Sequence, residues 1–294
     1  MSDIKIALIG GSGLYDMDGL SSVEPIKIDT PFGKPSDTLV TGRLENVKVA
    51  FLPRHGKRHH LLPNEIPYRA NIYALKSLGV ERIISINAVG SLQEDIAPLD
   101  IVIPDQLIDR TKQRLNTFFG NGIVAHVGLA EPFCKELTSL YRKYRLLFPL
   151  DSALQLNTRL RIGGSLVVIE GPQFSTKAES SIYRSRNASI IGMTTLPEAQ
   201  LAREAEICFS TMALVTDYDV WRTPSEEVTA VMVAGNVKKN TAIAMSTAKD
   251  IIKMIPADRK CECASALEGA IMTQRGEIPH KVLDKISLIT RKYI

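Results

Sequence analysis

The stretch ALVTDYDVW, from Ala213 to Trp221, ends an apolar run in two aspartates one residue apart, Asp217 and Asp219. A single acid at a strand end is an ordinary turn residue. Two together carry a second meaning. Neighbouring carboxylates cannot both ionise cheaply, so one keeps its proton near neutral pH while its ionised partner accepts hydrogen bonds. Such a pair suits a reaction in which a heterocycle departs with negative charge and takes up a proton at a ring nitrogen. The ionised partner suits a ring that carries an amino group.

Other strand ends supply the opposite chemistry. The turn Gly10-Gly11-Ser12-Gly13 matches neither the dinucleotide fingerprint nor the lysine-bearing phosphate loop. Its glycines still free N–H groups for an anion, and Ser12 adds a hydroxyl. Arg54 follows directly on an apolar strand and offers a planar fork for phosphate oxygens. His55 can donate a further hydrogen bond, and Thr194 brings another hydroxyl. Phe174, in EGPQFST, can stack on a planar base. It and Met193 read equally well as core residues when taken alone.

These residues need a scaffold that gathers strand ends. Strands are expected over 4–9, 47–52, ERIISINAVGSL, DIVIPDQLIDR, SLVVIEGPQFST, ASIIG and ICFSTMALVTDYDVW. Helical spacing marks IPYRANIYALKSLGV, AEPFCKELTSLYRKYRLLF, STKAESSIYRSRN, the segment after Pro197, positions 225–255 and SALEGAIMTQ. The alternation predicts an α/β fold: one domain, with a mixed, mostly parallel twisted sheet flanked by helices. Ligands of such a sheet sit beyond the carboxyl ends of its strands. Positions 110–128 lack periodicity and read as a long loop, a feature often tied to function.

Composition narrows the classes. The chain has 294 residues, 45% hydrophobic, with net charge +4 and a pI near 8.8. Its basic residues are dispersed, so nucleic acid is not an expected partner, and the RHGKRHH cluster suits a small anion. No apolar run is long enough to span a membrane. The start MSDIKIALIGG runs straight into a strand, and a cytoplasmic location is expected. Cys134, Cys208, Cys261 and Cys263 are too few for a disulfide framework. The Cys261-x-Cys263 pair would need two more ligands to hold zinc, and His280 fits that pattern poorly. Reduced thiols and no metal are expected, with a small strained C-x-C disulfide as the alternative.

In order along the chain, GGSGLYD, DTPFGKPSD, RHG, YRANIYALK, NAVGSL, DIVIPDQLIDRT, AEPFC, IEGPQFSTKAES, IGMTTLPEAQLAREAEIC and TDYDVW resemble the S-methyl-5′-thioadenosine phosphorylase family, within the trimeric purine nucleoside phosphorylases. The resemblance runs from about Lys5 to Trp221, with a looser helical tail. It implies one phosphorylase domain over 1–294, with a core of about 4–255 and a helical extension of about 262–294. It implies phosphorolysis of S-methyl-5′-thioadenosine to adenine and S-methyl-5-thio-α-D-ribose 1-phosphate, with inorganic phosphate as co-substrate and no cofactor. The phosphate site falls on Ser12, Arg54, His55, Asn87, Ala88 and Thr194, and the nucleoside contacts on Phe174, Met193, Asp217 and Asp219. In this reading Asp217 donates to N7 and Asp219 accepts from the amino group.

Ser175 holds a specificity position where some relatives carry Glu. Val231 stands where enzymes that bind a 5′-hydroxyl use His. A homotrimer or hexamer follows from the same resemblance, as does the disulfide that the C-x-C forms in some archaeal and bacterial members. Gln173 departs from the family's usual Arg, and the 110–128 loop matches poorly. The rivals are a phosphorylase for methylthioinosine or for purine nucleosides more broadly, and a nucleoside-binding sensor on the same fold. The sensor would keep the base pocket and lose the anion cradle. A dehydrogenase is disfavoured by the glycine spacing.

Overall fold

The computed structural model describes residues 4–11, 19–147, 158–222 and 230–294; within helix α5, introduced below, side chains are described at 235, 236 and from 240 onward. The segment IALIG forms β1 (Ile6–Gly10), which is buried at every position. Ile6 and Leu8 enter one core cluster while Ala7 and Ile9 enter another. Two covered faces explain why the run is continuously apolar rather than alternating.

Around β1 stand β4 (Val47–Pro53) and β5 (Arg82–Ser91), both parallel to it, and β11 (Cys208–Asp217) continues the parallel set beyond β5. The carboxyl ends of these strands therefore share one edge of the sheet. On the far side of β4 lie β3 (Leu39–Leu44) and the edge strand β2 (Leu20–Ile26). β5 outlasts β1: its end at Gly90 and Ser91 pairs antiparallel with β10 (Ile190–Gly192). β10 then leads to β9 (Ser165–Ile169) and β7 (Gln106–Arg110), while β6 (Ile101–Ile103) and β8 (Leu160–Ile162) complete the β11 side. Because β10 runs back along β5, it delivers Met193 and Thr194 beside Asn87.

Helices α1 (Tyr68–Ser77), α2 (Lys135–Leu147), α3 (Lys177–Ser185), α4 (Thr195–Glu204), α5 (Ala230–Met254) and α6 (His280–Thr290) cover the sheet. Ile243, Ala244, Ile251 and Ile252 of α5 pack with Ile6 and Leu8, whereas α1, α4 and α6 pack with Ala7 and Ile9. Among the described residues this is the expected α/β architecture, a mixed sheet of eleven strands with six helices. No helix among them is long and apolar enough to cross a membrane.

Three local expectations change. The run DIVIPDQLIDR is two strands, β6 and β7, rather than one. Pro104 has no N–H for a ladder, and the Asp105 carboxylate takes the Gly164 N–H at 3.0 Å, so the chain changes partners from β8 to β9 there. SALEGAIMTQ is not a helix. It holds only the end of a 3-10 turn, Glu262–Ser265, and Gly269 then adopts φ +69°, outside any right-handed helix. β2, β3 and β8 had no sequence signal of their own; β2 is exposed along its middle, so no apolar period marks it.

Two asparagines of α5 hold the end of β11. Asn236 Nδ2 donates to the Thr216 carbonyl at 2.7 Å, and the fully buried Asn240 donates to the Val215 carbonyl at 2.9 Å. The Val215 carbonyl also accepts the Leu99 N–H at 2.8 Å, so Asn240→Ala removes one of its two hydrogen bonds and should cost about 0.5–1.5 kcal/mol. The expected outcome is a lower thermal midpoint at fixed protein concentration, and an unchanged midpoint would show that this anchor carries no load.

Candidate active site

Arg54 leaves β4 at the shared edge and is 2% exposed. Its Nη2 donates to Glu198 Oε2 at 3.0 Å and to Ser85 Oγ at 2.6 Å; Nε donates to Glu198 Oε1, and Nη1 to the Ile86 carbonyl at 3.3 Å. The planar fork expected to meet phosphate thus lies on Glu198. Of the five guanidinium N–H groups, one on Nη1 has no such partner among the described residues and stays available to an anion. Glu198, itself 1% exposed, sits in the first turn of α4. Sequence reasoning missed it, because an acid there reads as a routine response to the helix dipole.

The network continues through β5. Asn87 Nδ2 donates to Thr195 Oγ1 at 2.9 Å, and its Oδ1 accepts from Thr194 Oγ1 at 3.2 Å and from Ser85 Oγ at 3.3 Å. Thr194 precedes α4 but does not cap it; its hydroxyl turns to Asn87 instead. Ala88 is exposed in a strand that is otherwise buried, so the sheet opens at this point. His55 Nδ1 lies 2.8 Å from the Leu61 carbonyl, which can only accept, so this nitrogen carries the hydrogen. Burial, with Arg54 adding to it, pushes the His55 pKa down to about 4. That leaves Nε2 as the ring's other polar atom.

Asp217 and Asp219 close the other side, 6% exposed each. Asp217 Oδ1 accepts the Asp219 N–H at 2.8 Å, and Oδ2 accepts the Thr216 hydroxyl at 2.6 Å. Asp219 takes φ +51°, which turns its N–H back onto Asp217. Burial raises the Asp217 pKa, opposed by those two hydrogen bonds. Burial also raises that of Asp219, opposed by the Ser180 hydroxyl and the Val220 N–H and reinforced by Asp217. Asp219 Oδ2 is buried without a well-formed hydrogen bond among the described residues, and so is Ser175 Oγ. Polar atoms in that condition are where a ligand's donors are accommodated.

Gly90 makes the aspartate loop possible. A Cβ there would stand 2.8 Å from Asp217 Oδ1 and 3.3 Å from the Asp219 nitrogen. Gly171 plays a similar part for Met193, whose Sδ would lie 2.7 Å from an added Cβ. Phe174 is 50% exposed and stands at the rim of the chain rather than over a closed pocket. Ser12 and the Val231 side chain lie outside the described residues.

The irregular loop after β7 contributes a residue that spacing alone could not single out. Arg114, its side chain 1% exposed, donates from Nη1 to the carbonyls of Met193 at 2.6 Å and Leu196 at 2.5 Å. It also donates from Nη2 to the carbonyls of Ile169, at 3.2 Å, and Glu170, at 2.5 Å, and from Nε to the Glu170 carboxylate at 3.4 Å. One guanidinium thereby fixes the loop that carries Met193 and Thr194 to the loop that carries Phe174 and Ser175.

A desolvated acid pair of raised pKa and the Arg54–Asn87–Thr194 network at one sheet edge fit the phosphorylase superfamily, whose profile matches residues 5–255. The chain belongs to that superfamily and, within it, to the S-methyl-5′-thioadenosine phosphorylase family. It is 50% identical over 291 residues to the S-methyl-5′-thioadenosine phosphorylase of Geobacter sulfurreducens, covering 98% of this chain and 99% of that one. It is 50% identical to the Koribacter versatilis protein of the same name, over 98% and 96% of the two chains. A methylthioadenosine phosphorylase crystal structure from an Antarctic soil metagenomic library superposes with TM-score 0.91 at 47% identity, over 98% and 99% of the chains. The Schistosoma mansoni methylthioadenosine phosphorylase in complex with adenine gives TM-score 0.80 at 36% identity, over 91% and 97%.

Gly90→Ala should displace Asp217 and abolish most phosphorolytic turnover with a much smaller effect on the thermal midpoint; turnover near wild type would mean the aspartate loop tolerates the intrusion. Arg114→Lys should lower kcat and raise the KM for both substrates, because an ammonium cannot serve acceptors spread over two loops. Unchanged constants for that variant would remove Arg114 from the positioning role.

Proposed function

We propose that this protein cleaves S-methyl-5′-thioadenosine with inorganic phosphate. The products are adenine and S-methyl-5-thio-α-D-ribose 1-phosphate. The observation that carries this reading is the desolvated Asp217–Asp219 pair, raised in pKa and standing on the strand next to Asn87 and Ala88. The relatives' names support the same substrate.

In this reading phosphate lies against Arg54, His55, the Asn87–Ala88 strand end, Thr194 and the Ser12 turn. Its ionised oxygen attacks C1′ of the sugar, forming the new C–O bond as the C1′–N9 bond breaks. The bonding electrons pass to the purine, and protonated Asp217 returns a proton to N7. Asp219 accepts from the 6-amino group through Oδ2. An oxo group there would bring a lone pair to a lone pair, which disfavours methylthioinosine. Glu198 offsets the charge of Arg54, so the anion is bound chiefly by N–H and O–H dipoles, with His55 Nε2 as a further polar contact. Phe174 and Met193 contact base and sugar, and Ser175 and Val231 set the fit of the 5′ substituent. The reaction as written requires no cofactor. A half-exposed Phe174 is in keeping with a homotrimer or hexamer, in which a neighbouring subunit completes the site. A cytoplasmic location accords with a nucleoside salvage role.

The proton inventory gives a pH dependence. An aspartate with a raised pKa holds its proton to higher pH than a free one, and the donor form is lost as pH rises through that value. At saturating phosphate, kcat/KM for the nucleoside should therefore show an alkaline decline set by the acid pair. Asp217→Asn should lose at least about 100-fold in kcat, the scale of a general acid, while equilibrium binding of phosphate persists. Parallel assays of methylthioadenosine, methylthioinosine, adenosine and inosine, each with and without phosphate, test the whole reading. It fails if cleavage is independent of phosphate or if the 6-oxo nucleosides are preferred.

A further inference from the structure

β11 carries the acid pair at its carboxyl end and Cys208 at its amino end. With ten residues in the strand these ends are about 30 Å apart. At the amino end Cys208 meets Cys134, Cys261 and Cys263, and the sulfur atoms of these four residues all lie within 4.8 Å of one another. Cys134, Cys208 and Cys263 are buried, and Cys261 is half-buried. The sequence offered only the C-x-C pair and lacked two further ligands; the fold supplies them from 127 and 53 residues upstream of Cys261, since 261 − 134 = 127 and 261 − 208 = 53.

We propose that this cluster is a structural zinc site with four thiolate ligands. Zn–S bonds of about 2.3 Å in a tetrahedron place the sulfurs about 3.8 Å apart, which fits inside the 4.8 Å envelope. The Cys208 and Cys261 sulfurs, 3.2 Å apart, need only spread by a few tenths of an ångström. A tetrathiolate set of this kind selects zinc over hard cations. Two ligands are held before any metal arrives: the Cys134 N–H donates to the Phe209 carbonyl at 2.8 Å, and the Cys208 N–H to the Glu81 carbonyl at 2.9 Å. The other two sit at the start of the 3-10 turn Glu262–Ser265. Binding breaks four S–H bonds, forms four Zn–S bonds and releases four protons to solvent, with no electron transfer. The resulting dianion is offset by Arg203, whose Nη1 donates to Cys263 Sγ at 3.6 Å and whose Nη2 is fixed on the Glu131 carbonyl. The site would pin the segment after α5 to the strand and to the loop before α2, far from the chemistry.

The test uses the full-length, tag-free protein from zinc-supplemented cells, purified without chelator. Metal analysis should give about one zinc per chain, with the four thiols reacting with a disulfide reagent only after zinc is stripped. Apo protein titrated with cobalt(II) should develop the intense visible bands and thiolate charge-transfer absorption of a tetrahedral tetrathiolate. Cys261→Ser and Cys263→Ser should each cut zinc content about tenfold or more and lower the thermal midpoint. Should either variant fail to fold, the cobalt spectrum of the wild-type chain still decides. The proposal is overturned by four freely reactive thiols that take up no cobalt. It is equally overturned by a metal-free native mass showing disulfides, or by iron alone in place of zinc.

Discussion

The buried contact between Arg54 and Glu198 organises the rest of the molecule's working edge. A guanidinium and a carboxylate taken out of water are tolerable only if nearly every donor and acceptor is matched. Matching them draws in Ser85 and the Ile86 carbonyl from β5. It also fixes the first turn of α4 against the end of β4. Asn87, two residues beyond Ser85, inherits that geometry and sets Thr194 and Thr195. This end of the sheet is thus arranged by one desolvated ion pair, whose net neutrality leaves oriented dipoles rather than bulk positive charge.

The base side obeys a different constraint, the absence of a side chain. Gly90 leaves room for a carboxylate where any Cβ would intrude, and Asp217 occupies that room. Asp219, in its left-handed conformation, returns its N–H to Asp217 and keeps Oδ2 buried without a well-formed hydrogen bond among the described residues. Burial raises both acids, and local hydrogen bonds limit how far. The two halves of the site meet on β5, which bears Asn87 and Gly90 within a single turn of pleat. Arg114 ties the flanking loops across it.

Much of this was legible in the chain. The strand-end residues stood out because apolar runs stop abruptly at them, and the continuous rather than alternating runs announced a sheet covered on both faces. The long loop announced itself by its lack of period. Glu198, Ser85 and Arg114 did not stand out, because their partners lie 144, 113 and 82 residues away and no spacing rule reaches so far. β2 stayed hidden because an exposed edge strand needs no apolar pattern. SALEGAIMTQ misled because composition favours a helix, while Gly269 takes a backbone conformation that only the packed chain fixes.

The sequence by itself determined the fold class, most of the core strands and helices, the acid pair and the cationic strand end. These rest on local propensity and on apolar periodicity, which the chain carries residue by residue. Only the tertiary structure decided that Arg54 spends its fork on Glu198, that His55 turns Nδ1 to the Leu61 carbonyl, and that four separated cysteines share one small volume. Those outcomes depend on which groups lose water together. Desolvation is a property of the packed chain as a whole, not of any segment of it.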